Sequence, residues 1–244
     1  MGAIRFGIVL TYDCNLRCQG CNRYLDVMRV PDSDIGLDDL QEGYNRVEAA
    51  GIEIRKARVT GGEPLLYPQF VEAMKLIGRT WNKDYGGRTC VFTNGTQDMP
   101  MAKRRGRLWR YNVSRPEDKP AAFWPSMVSP ADLGLSPVQG HNGNTCRTQK
   151  GCGRLFDAFG FSFCILAAPL GRMFGIDPYS AHPLLEGWAE LCRHCPWSQP
   201  RRVRERLFEQ AAAGTLEGGY PTRSFRKAVE LGDFLLDLPR FEER

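Results

Sequence analysis

Thr11-Tyr12-Asp13-Cys14-Asn15-Leu16-Arg17-Cys18-Gln19-Gly20-Cys21 follows directly on the apolar run Phe6-Gly7-Ile8-Val9-Leu10. Its three thiols stand at C-x3-C-x2-C spacing. A strand that empties into a short loop brings such sulfurs around one compact centre, and sulfur is the ligand that iron–sulfur clusters select. A [4Fe-4S] cube ordinarily takes four thiolates. With three in the loop one iron stays open, and an open iron is where a substrate or cosubstrate binds. A zinc knuckle or a plain electron-carrying cluster is the competing use of these thiols. Zinc asks for a fourth ligand close by, and no His or Cys occurs in the next twenty residues.

Outward from the loop, the chain alternates strands and helices. Arg5 to Thr11 reads as a buried strand. Leu37, Leu40, Tyr44 and Val47 recur at helical spacing, with Gly51 closing that helix. Lys56 to Thr60 predicts a second strand, ending on Gly61-Gly62-Glu63-Pro64. A second helix starts near Pro68, carries Phe70, Val71, Met74 and Ile77 on one face, and ends at Gly78. Thr89 to Thr93 and Leu108 to Ser114 predict two more strands, and Phe123 to Val128 a short fifth. A βαβαβ order implies parallel strands with right-handed crossovers. A complete eight-stranded barrel takes about 250 residues, but the rhythm fades before residue 130. The expected fold is therefore α/β, a partial and open (β/α) barrel.

The loop resembles that of the radical S-adenosylmethionine (SAM) enzymes, whose C-x3-C-x2-C motif Cys14, Cys18 and Cys21 match. Val59-Thr60-Gly61-Gly62-Glu63-Pro64 resembles the family's GGEP element after the second strand. Val91-Phe92-Thr93-Asn94-Gly95-Thr96 is similar to the end of its third strand. Gly20 stands where the family usually has an aromatic residue. The resemblance implies that the open iron chelates the amino and carboxylate groups of SAM's methionine part. One electron, from an external flavodoxin- or ferredoxin-type reductant, then splits SAM and leaves a 5′-deoxyadenosyl radical that abstracts hydrogen from a substrate. It also implies that Gly61, Gly62, Glu63 and Pro64 contact the methionine amino group. Glu63 is the charge partner for that ammonium or else only shapes the turn. Thr93, Asn94 and Ser114, at strand C-terminal ends where barrel sites form, are candidates for the ribose or methionine part.

The second half of the chain holds Cys146, Cys152, Cys164, Cys192 and Cys195. Gly160-Phe161-Ser162-Phe163-Cys164 reads as a turn into a strand, and Cys192-Arg193-His194-Cys195 is a C-x2-C pair. This region resembles the twitch and SPASM auxiliary-cluster domains of the same family. By that pattern Cys146, Cys164, Cys192 and Cys195 hold a second [4Fe-4S] cluster, with Cys152 as the alternative to Cys146. A structural zinc site would use the same four thiolates. His194 is expected to face solvent and Cys90 to be a core residue. The expected division is 1–130 for the barrel core, 131–200 for the Cys-rich domain and 201–244 for a segment of terminal helices.

With 244 residues there is material for a sizeable core. No apolar run is long enough to span a bilayer and no signal peptide is evident, so a cytoplasmic protein without membrane contact is expected. Nine cysteines in such a chain argue for metal rather than disulfides. The net charge of +5 is concentrated in Lys103-Arg104-Arg105-Gly106-Arg107 and Arg201-Arg202-Val203-Arg204-Glu205-Arg206. These runs are solvated faces or meet an anionic partner. Three functions follow. The first is a radical SAM enzyme acting on a small molecule or nucleotide by dehydrogenation, rearrangement or isomerisation. The second is a tailoring enzyme for a macromolecule, either a ribosomal peptide or a DNA or RNA base such as a hypermodified thymidine. The nucleic-acid form would use the basic runs with Trp109, Phe123 and Trp124. The third is a non-enzymatic iron–sulfur or zinc protein, which leaves Gly61-Gly62-Glu63-Pro64 unexplained.

Overall fold

The computed structural model describes residues 3–18, 20–82, 89–100, 109–114, 126–136, 151, 153–183, 189–231 and 238–244. Four parallel strands lie side by side in chain order: β1 (Ile4–Val9), β2 (Ile54–Thr60), β3 (Thr89–Thr93) and β4 (Trp109–Val113). Helix α1 (Leu37–Ala49) links β1 to β2, and α2 (Phe70–Arg79) lies between β2 and β3. Parallel neighbours need such crossovers, because a hairpin cannot return the chain in the same direction. Asp38 and Asp39 sit in the first turn of α1, where carboxylates complement the helix dipole.

The sheet continues on the other side of β1. There β5 (Arg154–Asp157) pairs with β1 in parallel, then β6 (Gly160–Ser162) and β7 (Tyr179–Ser180) add antiparallel, giving the order β4-β3-β2-β1-β5-β6-β7. The fold is thus mixed α/β, with strands arranged as in an open, partial (β/α) barrel. The hairpin ahead of Cys164 is β5–β6, so part of the Cys-rich half is built into the same sheet as the first four strands. No strand forms over Ser126–Val128, which are buried coil; the rest of the expected fifth strand, Phe123 to Pro125, lies outside the described residues.

Alternation assigns the two faces. Phe6, Ile8, Ala57, Val59, Val91, Trp109 and Phe156 point to the side of α1 and α2. There Phe6, Trp81, Phe156, Phe161 and Phe241 form an aromatic cluster with ring centroids 4.5–6.3 Å apart. Trp109 packs edge-on against Phe70 of α2 and is 3% exposed, so it offers no platform for stacking a base. Full burial of side chains this large contributes roughly 2–3 kcal/mol each.

After β6, α3 (Ala167–Phe174) and α4 (Ala189–His194) lead to two terminal helices, α5 (Arg201–Ala212) and α6 (Arg223–Leu231). Tyr24, Met28, Met127, Leu166, Leu170, Met173, Leu191 and Phe225 make a second core, which joins the loop after β1 to α3, α4 and α6. Leu207 and Ala211 of α5 pack with Val128 and Leu216. Among the described residues no helix is long and apolar enough to cross a membrane.

Candidate active site

Cys14, Cys18 and Cys21 lie on the loop that leaves β1, all half-buried and all free thiols. Short local bonds shape the loop: Cys21 N–H donates to Cys18 O at 3.0 Å and Tyr24 N–H to Cys21 O at 2.9 Å. Gly20 N–H donates to the Asp26 carboxylate at 2.9 Å. Burial pushes the Cys14 thiol up, and the neighbouring Cys21 and Cys18 add to it; burial also raises Cys21. The thiols therefore lie within electrostatic range of one another, as a shared centre requires. They are not closed onto a point: among the described residues no three His, Cys, Asp or Glu side chains are gathered as a metal would gather them. As a donor set, three half-exposed thiols on one loop fit an iron–sulfur cluster, the group that sulfur ligands select.

Gly61-Gly62-Glu63-Pro64 docks directly on this loop. Gly62 N–H donates to Thr11 O at 3.0 Å and Glu63 N–H to Asp13 O at 2.7 Å. Glycine is required twice. Gly61 has φ +143°, and a side chain there would run into the Thr11 carbonyl. A side chain at Gly62 would meet the Asp13 carbonyl. Glu63 is fully buried, and its carboxylate takes three protein donors. Oε1 accepts from Leu65 N–H at 3.1 Å and Thr93 Oγ1 at 2.8 Å, and Oε2 accepts from Asn94 N–H at 2.7 Å. Glu63 thus ties the end of β2 to the end of β3. Pro64 is buried at the start of a 3-10 turn, Pro64–Leu66. Asn94 reaches back, its Nδ2 3.9 Å from Cys14 Sγ and 3.0 Å from Asn15 Oδ1. Ser114 is exposed, and its N–H donates to Thr93 O at 2.8 Å. The structure therefore brings the cysteine loop, Gly61–Pro64, Thr93 and Asn94 to one edge, the C-terminal ends of β1, β2 and β3.

On the sheet face opposite α1 and α2 lies a cavity of about 390 Å³, lined by Lys56, Arg58, Cys90, Phe92, Arg110, Tyr111 and Asn112. The strand register sets Arg58, Cys90 and Arg110 side by side. Burial lowers the Lys56 ammonium, and the nearby Arg110 and Arg58 push it the same way. Among the described residues no carboxylate lines this cavity. Sequence reasoning missed these cations, reading Lys56–Thr60 only as a strand; the signal was their alternation with Ala57 and Val59.

The second cysteine set is partly described. Cys164 follows β6, with Leu166 N–H 3.3 Å from its Sγ, while Cys192 lies in α4 and Cys195 directly after it. All three are half-buried, and Cys164 and Cys195 pack on the second core. Cys146 and Cys152 lie outside the described residues, as do Lys103, Arg104, Arg105, Arg107, Phe123 and Trp124. Contrary to expectation, His194 does not simply face solvent. Its ring stacks on Phe174 at 4.3 Å and Nδ1 lies 2.9 Å from Ser129 Oγ.

Residues 8–116 match the family model of the Radical SAM superfamily. That stretch runs from β1 through the cysteine loop to just beyond β4, a little under half of the chain. The chain is 32% identical over 118 residues to the "Probable GTP 3',8-cyclase" of Methanothermobacter marburgensis, covering 48% of this chain and 36% of that protein. It is 35% identical over 88 residues to the GTP 3',8-cyclase of Chlorobaculum tepidum, covering 36% and 24%. It is 33% identical over 147 residues to that of Desulforamulus reducens, covering 54% and 44%. The chain spans less than half the length of these curated relatives. A solved structure of BtrN in complex with AdoMet and 2-DOIA matches with a TM-score of 0.31 at 15% identity, over 39% of this chain and 37% of that one. That score is too low to bear on the fold.

Proposed function

We propose that this chain is a radical SAM enzyme that acts on a nucleotide. Cys14, Cys18 and Cys21 would hold a [4Fe-4S] cluster, and SAM would lie along Gly61–Pro64, Thr93 and Asn94, with Ser114 at the rim. When bound, cluster and SAM together supply a 5′-deoxyadenosyl radical for hydrogen abstraction. The chain's own part is positional. Gly61 and Gly62 let backbone approach without side chains, while Glu63 and Asn94 fix the strand ends around the cysteine loop. Because its carboxylate already takes three donors, Glu63 works mainly as that strap. Cys164, Cys192 and Cys195, with Cys146 or Cys152, would form a second site, for a cluster or for zinc. In this division residues 1–130 carry SAM chemistry, 131–200 the second site and 201–244 the covering helices. A flavodoxin- or ferredoxin-type protein would supply the electron.

The observation that carries the nucleotide reading is the cavity with Lys56, Arg58 and Arg110 and, among the described residues, no acid. Phosphate oxygens satisfy such cations, and arginine binds them in forked geometry. Phe92, with the Arg58 guanidinium 5.9 Å over its ring, adds a flat apolar wall. The names of the relatives point the same way. The test is SAM cleavage by the reconstituted, reduced protein in the presence of nucleoside triphosphates. 5′-Deoxyadenosine should form, faster with the right nucleotide. Arg58→Ala and Arg110→Ala should each raise the nucleotide KM about 30-fold, the equivalent of one charged hydrogen bond of about 2 kcal/mol. Unchanged KM in both variants would refute the assignment of this cavity.

A further inference from the structure

Behind the cysteine loop lies a buried polar cluster contributed by residues beyond the matched segment 8–116. Asp157, at the end of β5, is fully buried. Its Oδ2 accepts from Tyr12 Oη at 2.6 Å and from Tyr179 Oη at 2.9 Å, and its Oδ1 accepts from Phe159 N–H at 2.9 Å. Arg172 of α3 is also buried; its guanidinium lies 4.1 Å over the Tyr12 ring, and Nη1 donates to Tyr179 Oη. Tyr12 is 2% exposed, and its backbone N–H donates to Ser33 Oγ at 3.0 Å.

The placement of Tyr12 in the chain gives this cluster leverage. Its two neighbours, Thr11 and Asp13, provide the carbonyls that receive Gly62 N–H and Glu63 N–H. Cys14 is the next residue. One side chain therefore anchors the short backbone stretch on which both the first thiol and the Gly61–Pro64 segment depend. The carboxylate that holds its hydroxyl, Asp157, lies outside residues 8–116.

We infer that Asp157 is a positioning residue for the SAM site, acting through Tyr12, with Arg172 fixing the Tyr12 ring. This rests on the function proposed above, but the link itself can be read without a cluster. In the full chain, Tyr12→Phe removes one hydroxyl and Asp157→Asn weakens its acceptor. Tyr179→Phe takes a different phenol from the same carboxylate and touches neither loop. Hydrogen exchange at the Gly62 and Glu63 amides should speed up at least 10-fold in Tyr12→Phe and Asp157→Asn and stay within 2-fold in Tyr179→Phe, relative to amides of β3. In reconstituted protein, SAM affinity followed by the cluster's EPR response should fall about 10-fold in the first two variants only. Wild-type exchange at Gly62 and Glu63 in Tyr12→Phe, or equal acceleration in Tyr179→Phe, would overturn the inference. If Asp157→Asn does not fold, Tyr12→Phe decides alone. An absent SAM response in the wild-type protein would sink the proposed function and leave the exchange result to judge the Tyr12 link.

Discussion

Glu63→Gln tests the strap between β2 and β3 with a change of one atom. The wild-type carboxylate receives Leu65 N–H and Thr93 Oγ1 on one oxygen and Asn94 N–H on the other. An amide has one oxygen and one NH2. If the oxygen faces Leu65 and Thr93, the NH2 faces the Asn94 N–H, donor against donor. If it flips, the NH2 faces the Leu65 N–H instead, and Thr93 Oγ1 already accepts from Gly95 N–H at 3.0 Å. Either way one charge-assisted bond is lost, worth about 2 kcal/mol, and a buried donor goes unmet, costing about 1–3 kcal/mol more. A neutral amide is easier to bury than a carboxylate, which offsets part of this. The expected net loss is about 3 kcal/mol, or about 6–12 °C in Tm for a chain of this size. Urea denaturation of full-length wild-type and variant protein reads it directly. A loss below about 1 kcal/mol would refute the reasoning, because the carboxylate would then not be holding three donors in solution.

Two further outcomes follow from named residues. Replacing Cys14, Cys18 or Cys21 with Ala should remove about four irons per chain from anaerobically reconstituted protein, whereas replacing Cys192 or Cys195 should remove a second set; metal analysis showing one zinc lost in the latter case would mark that site as structural. Asp132 joins the coil after Met127 to the start of α6, accepting from Ser224 N–H at 2.7 Å and Ser224 Oγ at 2.6 Å. Burial works to raise its pKa, but the hydrogen bonds from Ser224 and Thr222 outweigh it and hold the carboxyl below its ordinary value. Its contribution is therefore present above the unfolded value of about 3.9 and is lost as the pH falls through the lower folded value. Asp132→Asn should cost about 1–2 kcal/mol at pH 7 and flatten the acid limb of a stability–pH curve below about pH 5; an unchanged limb would show that the bond is not formed in solution.

The parts of the fold legible in the sequence were those where local pattern and tertiary role agree. Thr89–Thr93 forms the third strand as expected, and Leu37, Leu40, Tyr44 and Val47 mark α1 because its buried stripe coincides with helical spacing. The cysteine loop and Gly61–Pro64 were legible because their chemistry admits few residue types. The Asp157 cluster was not: it joins residues separated by 145 positions, and nothing around Asp157 distinguishes a buried carboxylate from a turn residue before Gly160. The sheet's continuation through β5 was equally hidden. Arg154-Leu155-Phe156-Asp157 is too short to declare a parallel partner for β1, and that pairing is decided by long-range packing.

The strands themselves carry one more signal, in the contrast between β1 and its neighbours. Parallel strands covered on both faces read as near-continuous apolar runs. β1 does: Phe6, Ile8 and Val9 are buried, and Ile165 lies so close over Gly7 that an added Cβ would come within 2.7 Å of it. β2 and β4 do not. Lys56-Ala57-Arg58-Val59-Thr60 and Trp109-Arg110-Tyr111-Asn112-Val113 alternate, as a strand does when one face meets water or ligand. In a βα unit the helices take the apolar face, here Val59, Val91 and Trp109, so the polar face is the inner one. Placing Lys56, Arg58 and Arg110 there costs stability that apolar packing would have supplied, and two arginines and a lysine side by side repel one another. A sequence bears that cost on the inner face of an open barrel when something anionic is to be held against it. On the function proposed above, the alternation in β2 and β4 would be the binding face written into the strand pattern, with Arg58 three residues ahead of Gly61.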